Sequence, residues 1–409
     1  MSVEGPVMES QVNFSPWAAY RAFLDGRQRA GQQRTLQPVA EVAGMRLRRP
    51  GGPWLINFSS NNYLGLSQHP LLIQRAEAYV RRWGTGSGAS RLVTGELAPF
   101  AAVEQRLAAG KGTEAALVLA SGFQANATLL AALLDASVLG TPPLVFSDRL
   151  NHASMHHGCA AAGVRQWRYR HNDLNHLEAL LRRHAATPGA RFILSETVFS
   201  MDGDCADVAG LLDLRRRYGA WLYLDEAHAG GVMGRDGFGL SADHATKADV
   251  IMGTFSKALG GFGAYVACTS GLRDYIVHRA AGFVYATAPP PAVLGAMEAA
   301  LELLPELQPQ RQRLQAASAR IRRTFRDMGL DVGASESQII PLILGDETRA
   351  MAFSAALERR GILAVAIRPP TVPAGKARVR LSLSAAHSDA DLDALVVAVR
   401  ECLAAEDRR

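Results

Sequence analysis

Short apolar runs alternate with longer segments of helical periodicity between about Ala115 and Cys268. In chain order the runs are AALVLA (115–120), LVFSD (144–148), FILSE (192–196), WLYLDE (221–226), DVIMGT (249–254) and AYVACT (264–269). This alternation predicts an α/β fold, with a mostly parallel sheet covered on both faces by helices. Several runs end in a polar residue, namely Asp148, Glu196, Asp225 and Thr254. These residues would lie at the carboxyl ends of the strands, which is the edge of an open α/β sheet where ligands bind.

The C-terminal part of the chain has a different pattern. A helical stretch rich in Arg and Gln (305–328) precedes short strand-like runs at IIPLIL (339–344) and RVRLSLS (378–384), and the Pro-rich segment APPPAV (288–293) lies before all of them. A chain of 409 residues is also long enough for two domains. We therefore predict three parts, which are an N-terminal extension and helical segment (1–55), a large α/β domain (56–290) and a small α+β domain (291–409).

Composition narrows the function classes. The four cysteines lie far apart without a C-x-x-C pair, which predicts no metal site and fits a reducing cytoplasm. The N-terminus MSVEGPVMES has no apolar targeting core, and no apolar run is long enough to span a bilayer, so we expect neither export nor a membrane anchor. The net charge of +6 is spread along the chain, which argues against a nucleic-acid partner and fits an anionic substrate or plain surface charge.

A lysine in a glycine-rich turn is the first candidate for chemistry. Lys257 follows the run DVIMGT and lies close to Gly260, Gly261 and Gly263. Because lysines are usually exposed, this turn alone would fit an ordinary loop lysine equally well.

Asp225 ends the apolar strand within the run WLYLDE (221–226), and His228 follows three residues later. A strand ending in Asp-Glu-Ala-His also occurs in helicase-type NTPases, but those enzymes need a G-x-x-x-x-G-K-[ST] loop. The nearest candidate has Gly112 after Lys111 where Ser or Thr is needed, and Gln105 where the first glycine is needed. The sequence therefore excludes the helicase interpretation.

An acid at a strand end and a lysine about thirty residues later fit pyridoxal phosphate (PLP). The carboxylate keeps the pyridine nitrogen protonated, and the lysine forms a Schiff base with the aldehyde. Asp225 alone would be explained as well by a helix N-cap, so the prediction depends on the pair.

Eight segments over about residues 25–395 resemble the α-oxoamine synthase family of PLP enzymes. They are NFSSNNYLGLS (57–67), GTGSGASRLVTG (84–95), SGFQANATLLAAL (121–133), DRLNHAS (148–154), ETVFSMDGD (196–204), LDEAHAGGVMG (224–234), TFSKALGGFGA (254–264) and AIRPPTVPAGKARVRLSLSAAH (366–387). The resemblance implies PLP-dependent fold type I, with a mostly parallel sheet in the large domain and a smaller α+β C-terminal domain. It also implies a homodimer. Two departures, ALGGFG after the lysine and HAGG (228–231), remove no functional side chain.

The resemblance implies roles for eight cofactor residues. It implies that Gly122 and Phe123 contact the phosphate of the cofactor, that His152 stacks on the pyridine ring and that Asp225 bonds the ring nitrogen. It also implies that His228 and Ser200 hydrogen-bond around the phenolic oxygen, that Thr254 contacts the cofactor and that Lys257 forms the Schiff base. Four of these, Lys257, His152, Asp225 and His228, are the implied catalytic residues.

The resemblance also implies substrate contacts. Arg368 corresponds to the arginine that pairs with the carboxylate of the amino acid, Arg34 and Thr371 correspond to acyl-substrate contacts, and Asn61 corresponds to a residue near the substrate. Within the family, NFSSNNYLGLS, AIRPPTVPAG and SLSAAH favour the biotin-pathway branch. That branch condenses L-alanine with a pimeloyl thioester of CoA or acyl carrier protein.

Three alternatives stay open at this stage. The first is another branch of the family, such as 2-amino-3-ketobutyrate CoA ligase (glycine C-acetyltransferase). The second is a PLP enzyme of another reaction class, which the segments GSGASRLVTG and AIRPPTVPAG disfavour. The third is a non-catalytic subunit with the same fold, which the presence of Lys257 together with Asp225, His228 and His152 disfavours.

Overall fold

The computed structural model describes residues 15–406. The helices are α1 (Pro16–Arg29), α2 (Pro70–Trp83), α3 (Pro99–Lys111), α4 (Gly122–Leu133), α5 (Ala136–Leu139), α6 (Ala153–Ala161), α7 (Leu174–Arg183), α8 (Val208–Tyr218), α9 (Ser270–Arg279), α10 (Ala281–Val284), α11 (Pro291–Leu303), α12 (Gln308–Asp327), α13 (Glu347–Glu358) and α14 (Asp389–Glu406). The predicted N-terminal helical segment contains α1. The extension before it lies largely outside the described residues.

The strands form three sheets. They are β1 (Glu41–Ala43), β2 (Arg46–Arg48), β3 (Trp54–Asn57), β4 (Ala115–Leu119), β5 (Leu144–Asp148), β6 (Gln166–Tyr169), β7 (Arg191–Glu196), β8 (Trp221–Asp225), β9 (Val250–Thr254), β10 (Ala264–Cys268), β11 (Ile339–Gly345), β12 (Ile362–Leu363), β13 (Val365–Ile367) and β14 (Ala377–Ser382). The sheet orders are β4-β10-β9-β8-β7-β5-β6, β1-β2-β3-β12 and β11-β14-β13.

The seven-stranded sheet confirms the predicted α/β architecture. Strands β6, β5, β7, β8 and β9 are parallel, whereas β10 is antiparallel to both of its neighbours. Each of the six apolar runs is a strand of this sheet. Strand β6 was not predicted, because QWRY has only one fully buried residue and contains the exposed Arg168.

Both faces of this sheet are covered. In β8, Leu222 and Leu224 belong to one apolar core, and Tyr223 between them belongs to a second core. Successive strand side chains point to opposite faces, so the two cores lie on opposite sides of the sheet. Helices α2, α3 and α11 contribute buried residues to the first core, and α4, α6 and α9 contribute to the second.

The two smaller sheets involve the C-terminal part. Strands β11 and β14 pair in antiparallel fashion and correspond to the two predicted runs. In the other sheet, β3 pairs in parallel with β12, so residues 54–57 contact a strand from far along the chain. Strands β1, β2, β3, β12 and β13 were not predicted. The division of the chain into three parts stays a prediction.

Among the described residues, one helical stretch is long and apolar enough to cross a membrane by length and composition. It is Gly122–Leu139, with a mean hydropathy of 1.3 over 18 residues. The stretch is not one helix, because α4 ends at Leu133 and the short α5 begins at Ala136. Since Leu129 and Leu130 of α4 are fully buried in the second core, this stretch is a core element of the α/β fold.

A histidine connects the end of β5 to the loop between β7 and α8. His171 lies with Nδ1 3.1 Å from an Asp148 carboxylate oxygen and Nε2 2.8 Å from an Asp204 carboxylate oxygen. Burial lowers the pKa of His171, but the hydrogen bonds and charges of the two aspartates outweigh it and raise the pKa to about 10. His171 is therefore an imidazolium at neutral pH.

We expect the stability that His171 provides to depend on pH. Its pKa of about 10 in the folded protein exceeds the ordinary 6.5, so the contribution is fully present below pH 6.5 and is lost as pH rises through 10. His171→Gln should lower the free energy of unfolding by about 1–3 kcal/mol near pH 6. Urea unfolding measures the gap, which should shrink toward alkaline pH. A gap that stays constant, or an equal loss in the exposed control His278→Gln, would contradict this account.

Candidate active site

A cavity of about 220 Å³ lies at the carboxyl edge of the seven-stranded sheet. Its lining residues are Ser121, Gly122, Phe123, Asn126, His152, Ser154, Glu196, Asp225, Ala227, His228, Met252, Thr254, Ser256 and Lys257. Seven of the eight predicted cofactor residues are therefore brought together. The eighth, Ser200, is buried but does not line the cavity, and its backbone oxygen accepts a hydrogen bond from Arg380 Nε at 2.6 Å.

The N-terminus of α4 contributes Gly122 and Phe123. Ser121 caps this helix, because its Oγ accepts a hydrogen bond from the backbone N–H of Gln124 at 3.3 Å. The first N–H groups of a helix have no acceptor within the helix, and together with the helix dipole they favour an anion. A Cβ added to Gly122 would lie 2.7 Å from Thr254 Cγ2, so this close approach requires glycine.

Asp225 is held at the end of β8 by two donors. Its Oδ1 accepts a hydrogen bond from the backbone N–H of Ala227 at 2.9 Å, and its Oδ2 accepts one from Asn126 Nδ2 at 2.7 Å. The Tyr223 hydroxyl donates to Asn126 Oδ1 at 2.7 Å, which turns the amide NH₂ group toward Asp225. Asn126 was not predicted, although an amide side chain that is buried in the apolar helix GFQANATLLAAL was a usable signal.

His152 begins helix α6 and also lines the cavity. Its Nδ1 accepts a hydrogen bond from the backbone N–H of Ser154 at 3.3 Å, so the proton of the neutral ring lies on Nε2. Burial lowers the pKa of His152, which keeps the ring neutral at pH 7. Asn126 Nδ2 also donates to Ser154 Oγ at 2.9 Å. The Asn126 amide therefore contacts both Asp225 and Ser154, and Ser154 is the partner of His152.

His228 is linked to residues from both ends of the chain. Its Nδ1 lies 2.7 Å from the buried Tyr63 hydroxyl, which is also 3.0 Å from Asn61 Oδ1 and 3.4 Å from Arg380 Nη2. Burial lowers the pKa of His228 well below its usual range, so this ring is neutral as well. Asn61, predicted to lie near the substrate, thus belongs to the network behind His228. Tyr63 and Arg380 were not predicted.

Lys257 lies three residues beyond the end of β9. Burial lowers the pKa of its amine, although the charge of Asp225 acts in the opposite direction. A lowered pKa increases the fraction of uncharged amine, which is the nucleophilic form. The lysine is therefore suited to form a bond with an aldehyde and to accept a proton afterwards.

A second pocket, of about 720 Å³, contains three of the four predicted substrate residues. Arg34, Arg368 and Thr371 line it together with residues of α1. Arg368 donates hydrogen bonds to the backbone oxygens of Gly31 and Gln33, the latter at 3.4 Å. Because Arg368 does not line the cofactor cavity, its pairing with the carboxylate of an amino acid stays a prediction.

Comparisons with known proteins identify the family. The family model described as "Aminotransferase class I and II" matches residues 53–399. The chain is 61% identical over 388 residues to a Magnetococcus marinus protein provisionally named 8-amino-7-oxononanoate synthase, covering 95% of this chain and 98% of that one. It is 54% identical over 390 residues to the 8-amino-7-oxononanoate synthase of Gluconacetobacter diazotrophicus, covering 95% and 97%. The chain therefore belongs to the class I and II aminotransferase family and, within it, to the 8-amino-7-oxononanoate synthases.

A solved structure agrees with the family assignment. The serine palmitoyltransferase of Sphingomonas wittichii is 26% identical, has a TM-score of 0.89, and covers 96% of this chain and 99% of its own. The predicted resemblance and the predicted fold type I are therefore confirmed. The roles of single residues in the family remain predictions for this chain.

The groups in the cavity fit pyridoxal phosphate. The aldehyde of PLP requires an amine, its ring nitrogen a carboxylate and its phosphate a cluster of N–H donors. Lys257, Asp225 and the start of α4 at Gly122 supply these groups around one space. In residues 15–406, no group of three or more His, Cys, Asp or Glu is arranged to hold a metal ion.

Proposed function

We propose that the protein is an 8-amino-7-oxononanoate synthase, a PLP-dependent acyltransferase of biotin biosynthesis. The observation that carries this proposal is the convergence of Lys257, Asp225 and the α4 N-terminus in one cavity. It occurs in a chain that is 61% and 54% identical to relatives bearing that name. PLP, when bound, supplies a protonated ring that withdraws electrons from the Cα atom of the amino acid.

The side chains of the protein divide the remaining work. Asp225 would hold the proton on the ring nitrogen of PLP, and Lys257 would hold the cofactor through its Nζ until the amino acid takes its place. The freed Nζ of Lys257 then removes the Cα proton of L-alanine. A bond forms between that Cα and the thioester carbonyl carbon, the thiol leaves, and the carboxyl group departs as CO₂. A proton returned to Cα completes the aminoketone.

The second pocket is our candidate for the acyl substrate. Arg27, Arg34 and Arg368 give it a positive charge, which suits the carboxyl end of a pimeloyl chain or the phosphates of CoA. In this proposal Arg34 and Thr371 contact the acyl thioester, and Arg368 pairs with the alanine carboxylate. CoA and acyl carrier protein are both anionic, so both carriers suit this surface.

Substrate choice separates this function from the other branch of the family. Thiol release should be followed for alanine, glycine and serine, each paired with pimeloyl-, acetyl-, succinyl- and palmitoyl-CoA. We expect the highest kcat/KM for alanine with pimeloyl-CoA. A higher value for glycine with acetyl-CoA would assign the protein to the 2-amino-3-ketobutyrate CoA ligase branch instead.

We also propose that the protein works as a homodimer with shared active sites. Support comes from exposed aromatic residues, since Tyr285 is 85% exposed and α1 has no buried residue although it carries Trp17, Tyr20 and Phe23. Tyr285 lies in FVYATAPPP (283–291), which resembles the family segment that reaches the neighbouring site. Mixing inactive Lys257→Ala and Thr287→Ala subunits should restore activity. A fully active monomer by sedimentation would contradict the proposal.

The cellular setting is proposed on two further observations. Cys159, Cys205, Cys268 and Cys402 are all free thiols, as expected in a reducing compartment. In the stretch Gly122–Leu139, the α4 residues Leu129, Leu130 and Leu133 are buried in the second core. We therefore place the protein in the cytoplasm, with neither a membrane nor a nucleic acid as partner. Recovery of the native protein in the membrane fraction after cell lysis would contradict this placement.

A further inference from the structure

Two carboxyl groups lie side by side at the edge of the cofactor cavity. Glu196 ends β7, Asp225 ends β8, and the two residues are register partners on adjacent parallel strands. Both line the cavity, and they are 2% and 5% exposed. Only one of them was given a role by the sequence, because the resemblance assigns the ring-nitrogen contact to Asp225 and nothing to Glu196.

The charge of this pair can be assigned from its hydrogen bonds. Asp225 accepts hydrogen bonds from Asn126 Nδ2 and from the backbone N–H of Ala227, and such donors stabilise a carboxylate. Two neighbouring carboxylates away from water repel one another, so the proton belongs on the group with the weaker stabilisation. That group is Glu196.

The electrostatic surroundings of Glu196 agree with this assignment. Burial raises its pKa well above the usual value, and the charges of Asp225 and Asp148 raise it further. The backbone N–H of His152 and the charge of Lys257 act in the opposite direction without reversing the shift. The hydrogen bonds of the pair and the surroundings of Glu196 therefore both favour its protonated form.

A neutral carboxyl group keeps a hydrogen-bonding requirement that the protein leaves unmet. Glu196 Oε1 is buried and has no hydrogen-bond partner among the described residues. Buried polar atoms nearly always have a partner, and leaving one unsatisfied costs free energy. Since Glu196 lines the cavity, the missing partner is whatever molecule fills it.

We propose that Glu196 is a further cofactor-binding residue, a neutral carboxylic acid whose Oε1 forms its hydrogen bond with PLP in the cavity. This inference rests on the proposed function, because it takes PLP as the occupant. The neutral form leaves Asp225 as the single anionic partner of the ring. A second carboxylate would repel the phosphate of the cofactor, so the proton on Glu196 favours binding.

The dissociation constant of PLP tests the proposal without relying on turnover. PLP is titrated into the cofactor-free protein, its binding is followed by the visible absorption of the complex, and the folding of each variant is checked by thermal unfolding. Glu196→Gln is neutral and keeps a hydrogen-bonding group, so its affinity should stay within about threefold of the wild type. Glu196→Leu removes the group at similar size and should weaken binding by about tenfold.

Thr197→Val is the matched control. Thr197 Oγ1 is also buried and has no hydrogen-bond partner within residues 15–406, it lies one residue away, and it does not line the cavity. This variant should bind PLP like the wild type. If Glu196→Gln loses as much affinity as Glu196→Leu, Glu196 acts as a carboxylate and the proposal is wrong. If no variant changes the affinity, Glu196 does not contact PLP.

Infrared difference spectra of wild type and Glu196→Gln supply an independent readout. A carboxylic-acid carbonyl band should be present at neutral pH in the wild type and absent from the variant. Its absence from the wild type would overturn the assigned proton. A wild-type protein that binds no PLP at all would instead overturn the proposed function, so the two failures are distinguishable.

Discussion

Replacing Lys257 by Ala should abolish turnover and leave a folded protein. The substitution removes both the amine that binds PLP and the group that moves the Cα proton. Proton transfer alone contributes about 10²–10⁴-fold to rates, so kcat/KM should fall by at least about 10³-fold. Folding should survive because Lys257 is only partly buried and forms no ion pair among the described residues.

Borohydride reduction shows which lysine binds the cofactor. The PLP-loaded wild type should be yellow, and reduction should attach the cofactor to one peptide that contains Lys257. The chain has three other lysines, Lys111, Lys247 and Lys376. Lys376→Ala is the matched control, since this residue is exposed and outside both pockets, and it should keep colour, labelling and activity. A label on any of the other three would overturn the assignment.

Six of the seven strands of the central sheet could be predicted because they are apolar on both faces. VIMGT of β9, for example, is buried at every position, and a short apolar run of this kind is visible without knowing its neighbours. The residues of β1 are exposed at every position, and β3 pairs with a strand that begins at Ile362. Short strands stabilised by distant partners leave no period in the sequence that would reveal them.

The candidate site was predictable in its residue types but not in the contacts that hold them. Lys257 and Asp225 lie in motifs that indicate their chemistry. Tyr63 contacts His228 across 165 positions of sequence, and this contact depends on side-chain directions that only the folded chain fixes. Arg368 shows the opposite case, since its motif indicates a role near the cofactor while the structure places it in the second pocket.

Lys111 and Glu226 lie in the two segments that were compared with NTPase motifs. They form a buried ion pair, which gives both residues a structural role. Lys111 Nζ donates to Glu226 Oε2, and both side chains are 0% exposed. Glu226 Oε1 also accepts from the backbone N–H of Ser241 at 2.9 Å, and Oε2 accepts from Ser241 Oγ at 2.7 Å. Burial lowers the pKa of Lys111, but the charge of Glu226 outweighs it and the pKa is raised. Lys111 is therefore a charged ammonium inside the protein, and Glu226 is its partner.

We expect Lys111→Met to lower the free energy of unfolding by about 3–5 kcal/mol, because it leaves the Glu226 carboxylate buried without a countercharge. Adding Glu226→Gln removes that charge and keeps the hydrogen bonds to Ser241, so the double variant should recover most of the loss. Urea unfolding of the cofactor-free protein measures both, with the exposed Lys376→Met as control. Glu226 directly follows Asp225, so the single variant should also bind PLP more weakly. A double variant no more stable than Lys111→Met would show that the unpaired charge is not the cause, and that lost packing around residue 111 is.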